Sequence, residues 1–286
     1  MSLNAAGFLP RVVAWCGLAV AGALPAAADT AALLDAAVAG AHRSPANRAR
    51  DVYRHPAETL RFFGLESGQT VVEIWPAAGW YSEILAPVLR EKGTYYAAVF
   101  VLTDQTPEYQ RNIQGAFLAK LKAGPELYDR VQLTELGAGR MDIAPAGAAD
   151  LVLTFRNVHN WMKAGFADEA FAAFFRSLKP GGVLGVVEHR AKPGTPLEKM
   201  IESGYVTEEH VIALAARAGF VLEARSEINA NPADTTDHPL GVWTLPPAMA
   251  KCREIAPGPA QDECRKPYQA IGESDRMTLR FRKPAA

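Results

Sequence analysis

Two imidazoles stand where chemistry is easiest to place. His159 follows the apolar run of LVLTFRNVHNW (residues 151–161), and His189 closes the apolar run VLGVVEH (residues 183–189). Short apolar runs of this kind read as strands buried on both faces. Side chains at the carboxyl end of such a strand face the crevice where open α/β sheets take ligands. Imidazole suits proton transfer near neutral pH, so His159 and His189 are expected to do general acid–base work. Arg156 and Asn157, in the same stretch, are expected to hold substrate and cofactor respectively. The competing expectation is a pair of structural histidines. His42, His55, His210 and His238 add no ligand spacing, so no metal is expected.

A second constellation is VVEIWPAAGWYSEIL, residues 71–85. It reads as a strand, a turn and a helix in the manner of a nucleotide-binding loop, but it is poor in glycine. Gly79 stands at the last glycine position, while Trp75 and Ala77 stand where bare backbone normally lets a cofactor approach. The missing G-x-G-x-x-G argues against a nicotinamide oxidoreductase. Ala77 adds only a methyl and is expected to be tolerated if its φ stays negative. Trp75 is expected either to fill cofactor space or to swing aside as a wall. The faces of Trp75 and Trp80 would attract a cation. Upstream, RSPANRARDVYRHP (residues 43–56) is dense in ionisable groups, and Tyr53 and Arg54 are its candidates for touching a substrate. The alternative there is a solvated face with internal ion pairs.

The elements that must position these groups can be read along the chain. Its 286 residues, 49% hydrophobic with a net charge of −1, suit one sizeable domain and point to neither nucleic acid nor a membrane surface. Arg11, the apolar run VVAWCGLAVAGAL and the small residues Ala26 to Ala28 read as a cleavable secretory signal over residues 1–28. That predicts export to the periplasm with no stable membrane insertion; an uncleaved anchor is the alternative. Removing Cys16 leaves Cys252 and Cys264, an even count that favours a disulfide in an exported protein. Residues 29–66 read as a helical cap and residues 67–286 as an α/β domain. Seven strands (TVVEIW, YYAAVFVL, VQLTEL, ADLVLTF, VLGVVEH, FVLEARSEI and MTLRFR) alternate mostly with helices. This order predicts a parallel sheet covered on both faces, with the last two strands as an antiparallel pair. Pro87 is expected to kink the helix after the first turn. Residues 229–276 form an insertion between the last two strands, too long for an ordinary connection.

The strand–turn–helix at residues 71–89, LVLTFRNVHNW, the LKPGG turn at residues 178–182 and the late strand pair together resemble class I S-adenosylmethionine-dependent methyltransferases. With RDVYRHPAETLRFFGL upstream, the chain is similar over residues 43–284 to an exported bacterial branch of predicted methyltransferases. The resemblance implies a Rossmann-like, seven-stranded sheet whose last strand is antiparallel. It also implies S-adenosylmethionine as cofactor, a small-molecule acceptor and methyl transfer by in-line displacement. Glu73, Trp75, Ala77, Gly79 and Trp80 would line the cofactor's amino-acid end, and Asp142 its adenine edge. In the family's sheet order the fourth and fifth strands are neighbours, so His159 and His189 would share a pocket. One departure is plain besides Trp75. Where the family carries an acidic residue at the end of the second strand, this chain has Val99 and Phe100, with Asp104 next in the loop. Since S-adenosylmethionine is made in the cytoplasm, the alternative function is an exported, non-catalytic ligand-binding module on the same fold.

Overall fold

Val71, Val72 and Ile74 are β-branched, and all three are completely buried in the first strand, β1 (Thr70–Ile74). The computed structural model describes residues 1–2 and 24–285. Around β1 lie β2 (Thr94–Phe100), β3 (Val131–Leu136), β4 (Ala149–Phe155), β5 (Leu178–His189), β6 (Val221–Ser226) and β7 (Arg276–Arg282). They form one seven-stranded sheet in the order β3-β2-β1-β4-β5-β7-β6. The pairs among β1 to β5 are parallel, whereas β7 runs antiparallel to both β5 and β6. The expected fold class holds: an α/β sheet of the class I methyltransferase type. Order reverses between β1 and β4, which places a ligand crevice at the carboxyl ends of β1, β2 and β4.

Side chains alternate across this sheet and feed two cores. Val72, Ile74, Val152 and Leu184 face one core with the Val158–Ala164, Ala167–Ser177 and Glu208–Ala218 helices. Val71, Tyr95, Leu151 and Val183 face the other, with the Leu24–Ala39, Pro56–Phe63 and Ser82–Leu89 helices. Residues 179–182 of the LKPGG stretch loop out of β5. Leu178 pairs with Ala149 while Val183 already pairs with Leu151.

The Ser82–Leu89 helix continues through Pro87 without a break. Pro87 has no N–H for the Glu83 carbonyl one turn back. His42 Nε2 takes that carbonyl at 2.7 Å, which removes the cost of the missing helical bond. The signal sequence expected over residues 1–28, with Cys16 in it, falls almost entirely outside the described residues. The backbone of residues 24–28 belongs to the Leu24–Ala39 helix. Among the described residues no helix is long and apolar enough to cross a membrane.

The long connection before β7 is ordered. The expected disulfide is present: Cys252 and Cys264 join the Ala250–Arg253 and Pro259–Ile271 helices with Cα atoms 5.7 Å apart, normal for a bridge. Buried Asp234 organises the rest. It accepts from Tyr205 Oη at 2.8 Å, His238 Nε2 at 2.9 Å, and the backbone N–H groups of Thr236 and Asp275. The anchored Asp275 brings residues 272–275 over the carboxyl end of β5.

Candidate functional site

β4 ends at Phe155 and β5 at His189, and the two strands run side by side in parallel register. Arg156 follows with φ of +63, a left-handed conformation that costs a non-glycine residue ~1–2 kcal/mol. Its N–H reaches Val187 O at 2.7 Å, which turns the chain sharply out of the sheet. Asn157 then heads the Val158–Ala164 helix. Its Nδ2 donates to Ile74 O at 3.0 Å and to Thr154 Oγ1 at 3.2 Å. Asn157 therefore clamps β4 to β1.

The sharp exit carries His159 over the end of β5. Its Nδ1 lies 3.1 Å from Glu188 Oε1, and its ring centroid is 5.3 Å from that of His189. With the proton on Nδ1, His159 donates to Glu188 and leaves Nε2 for a ligand. The other Glu188 oxygen accepts Val158 N–H at 2.6 Å. His189 Nδ1 lies 2.5 Å from Ser274 Oγ, supplied by the long connection. Burial, His159 and the guanidinium of Arg156 push His189 well below the ordinary imidazole value, so it is neutral near pH 7.

Tyr53 and Arg54 come to the same place. Arg54 donates to Glu273 Oε2 at 2.9 Å and Arg50 to Glu273 Oε1 at 2.6 Å, while Arg276 Nη1 lies 3.2 Å from Oε2. Burial alone would raise the Glu273 carboxyl, but Arg54, Arg276, Arg50 and Arg156 together hold it at about 2. Tyr53 packs on Gly272, whose missing Cβ would sit 2.4 Å from the ring, and its carbonyl accepts from Arg276. Glu273, Ser274 and Arg276 had no place among the expected site residues. The signal for them was the polar run GESDR directly before the last strand.

His159, Glu188 and His189 each place one potential metal-ligand atom within 4.8 Å of the others. The surroundings oppose a cation there. Both Glu188 oxygens already accept hydrogen bonds, and the charges of Arg156, Arg276 and Arg54 bear directly on His189.

The first turn behaves differently from expectation. Trp75, Ala77 and Gly79 all have positive φ (48, 53 and 79), so the turn keeps the left-handed backbone of a glycine loop with Gly79 as its one glycine. Ala77 therefore does not meet the condition of a negative φ and carries left-handed strain instead. Gly79 remains because a Cβ there would meet Phe117 at 2.8 Å. Glu73 is fully buried under this turn and accepts from Ser82 Oγ at 2.8 Å and from Tyr95 Oη. Burial raises it to about 7 against those hydrogen bonds.

Trp80 is buried against two cations of the chain itself. The guanidiniums of Arg43 and Arg54 sit 4.9 and 4.7 Å from its ring centroid, and its Nε1 donates to Asn47 O. Asp142 is exposed. It lines an open depression of about 640 Å³ with Val99, Gln114 and Glu135, and Val99 belongs to the core opposite the one that holds Trp75. Asp104 is exposed in its loop.

Trp75 settles the state of the crevice. Its left-handed φ turns the indole across the carboxyl ends of β1, β2 and β3, where Nε1 donates to Leu136 O at 2.9 Å. Phe100, Trp161 and Phe166 surround it at centroid distances of 4.6, 5.8 and 6.0 Å. Only 9% of Trp75 remains exposed. The cofactor implied by this fold, S-adenosylmethionine, does not fit these residues. An aromatic cluster fills the nucleoside side, and β2 ends in Phe100 instead of a carboxylate for the ribose.

No family model matches the chain. The S-adenosyl-L-methionine-dependent Diels-Alderase iccD of Talaromyces variabilis is 24% identical over 150 residues, covering 52% of this chain. The match takes in 46% of that relative, so the chain spans less than half of its length. Among solved structures, the (4+2)-cyclase SpnF superimposes with a TM-score of 0.54 at 19% identity, over 90% of this chain and 94% of that one. Haemonchus contortus phosphoethanolamine N-methyltransferase 2, in complex with S-adenosyl-L-methionine, gives a TM-score of 0.53 at 15% identity. It covers 82% of this chain and 53% of its own. These likenesses agree with the sheet order in establishing the class I methyltransferase fold.

Proposed function

We propose that this chain is a small-molecule protein of the class I methyltransferase fold that works without a nucleoside cofactor. Its ligand would lie at the carboxyl ends of β4 and β5, against Arg156, His159 and His189. The observation that carries this reading is the Trp75 indole in the nucleoside crevice. The chemistry available at the pocket is proton transfer through His159 Nε2, with Glu188 holding the opposite nitrogen. A fold does not dictate a function, and the solved structures of similar fold include a cyclase as well as a methyltransferase. Export belongs to the same proposal: N-terminal sequencing of the protein from its native cell would then begin at Asp29.

S-adenosylmethionine-dependent methyl transfer is the second reading. It is favoured by the left-handed backbone kept at Trp75, Ala77 and Gly79, and it requires the indole to leave the crevice. Calorimetric titration with S-adenosylmethionine and S-adenosylhomocysteine separates the two. Absence of heat at millimolar cofactor supports the first reading, and micromolar binding replaces it with the second.

A further inference from the structure

Four guanidiniums, those of Arg50, Arg54, Arg156 and Arg276, gather about Glu273 near the carboxyl ends of β4 and β5. Arg50, Arg54 and Arg276 all contact Glu273. Arg54 and Arg276 are buried, and each has further partners: the Trp80 ring for Arg54, and the Tyr53 and Ser274 carbonyls for Arg276. The remaining two have donors to spare. The Arg156 guanidinium makes no hydrogen bond or ion pair among the described residues, and Arg50 Nη2 is buried without a partner.

Asp51 is paired with Arg43, Asp275 with Arg190 and Glu83 with Lys120. Glu188, hydrogen-bonded to the His159 imidazole, is the further carboxylate nearby. Set against Glu273 and Glu188, the four guanidiniums leave two positive charges in excess. Uncompensated charge of this kind is costly to enclose, and here it coincides with a strained backbone at Arg156. Charge and strain held together at one residue point to a bound partner. Solvent still reaches the cluster, since Arg156, Arg50 and His189 are each half-buried.

We infer that the pocket is built to hold an oxyanion, a carboxylate or phosphate group on the small-molecule ligand, with Arg156 as its principal contact and Arg50 behind it. A guanidinium offers paired donors that match either group. The same positive field disfavours a metal at His159 and His189. This inference deepens the reading above and rests on it for where the ligand lies.

The test titrates the full chain with inorganic phosphate and, separately, with succinate, at an ionic strength held constant with chloride. Calorimetric heat and Tm are read together. At least one anion is expected to bind and raise Tm, and whichever binds identifies the group. Arg156→Asn is expected to weaken that binding about tenfold or more. Asparagine tolerates a left-handed φ, and the substitution relieves like-charge repulsion, so the variant's Tm without anion should equal or exceed that of wild type. A merely structural Arg156 would lower it. Arg50→Gln provides a second, independent loss of affinity. If neither anion binds better than chloride, or if Arg156→Asn binds as tightly as wild type, the inference is overturned. Binding of S-adenosylhomocysteine alongside intact anion binding would sink the cofactor-free reading and leave this site standing.

Discussion

The rings of Trp75 and Phe100 lie 4.6 Å apart across the carboxyl ends of β1 and β2. In the methyltransferase pattern that the sequence resembles, the first position is a glycine, and the end of β2, here Val99 and Phe100, carries an acidic residue. The contact of Trp75 with Phe100 makes the two departures a single change. A glycine lost to tryptophan leaves an indole in need of cover, and phenylalanine in place of a buried carboxylate supplies it. Burying an aromatic side chain is worth about 2–3 kcal/mol, enough to offset the ~1–2 kcal/mol of left-handed strain at Trp75.

That strain predicts opposite effects of glycine and alanine within one turn. Ala77 is exposed at φ +53, so Ala77→Gly should raise stability by about 0.5–1 kcal/mol, left-handed strain relieved less the entropy of glycine. Gly79→Ala should lower it by about 2–4 kcal/mol, since a new Cβ adds both strain and a 2.8 Å contact with Phe117. Urea denaturation of both variants checks the pair of signs.

Glu73 makes stability fall with rising pH. Its carboxyl is held at about 7 in the fold against an ordinary 4.5. Below the ordinary value both states are protonated and nothing is lost. Between 4.5 and 7 the unfolded chain releases its proton while the native chain keeps it, which costs roughly 3 kcal/mol in all. Glu73→Gln should remove this component, so its stability relative to wild type should climb across that window and then level off. Denaturation midpoints from pH 4.5 to 8 measure the difference.

His189 should act in the opposite direction. Its imidazole is held neutral well below the ordinary value of 6.5, so the stability it contributes is present above 6.5 and is lost as pH falls. A proton NMR titration should show no inflection for His189 between pH 6.5 and 8. A clear midpoint inside that range would contradict the assignment.

The sheet was legible because each apolar run has strand length and several helices carry their own stop, as Gly64 and Gly219 do. The pairing of His159 with His189 was legible from strand order, and the disulfide from an even cysteine count. Side-chain direction was not. Nothing in WPAAGW announces that Trp75 adopts a positive φ and swings across the crevice, or that Trp80 turns to Arg43 and Arg54. Glu273 and Ser274 were hidden for another reason. They sit more than eighty residues from His189 in sequence and reach it only because Asp234 anchors Asp275. Asp142, expected at the adenine edge, is exposed in the depression it lines with Val99, Gln114 and Glu135.

Reduction of Cys252–Cys264 should destabilise the long connection. The bridge closes a loop of 12 residues, for which chain entropy predicts about 3 kcal/mol. Dithiothreitol, or the Cys252→Ser/Cys264→Ser double variant, should lower Tm by several degrees and increase proteolysis between residues 229 and 276. An unchanged Tm would show that Asp234 and its partners hold the segment without the bridge.

The most direct test of the central claim is a crystal structure of the chain grown with excess S-adenosylhomocysteine. The Trp75 indole is expected in place, its Nε1 on the Leu136 carbonyl and against Phe100, with no nucleoside in the crevice. A nucleoside stacked at the ends of β1 and β2, with the indole swung out, would contradict it.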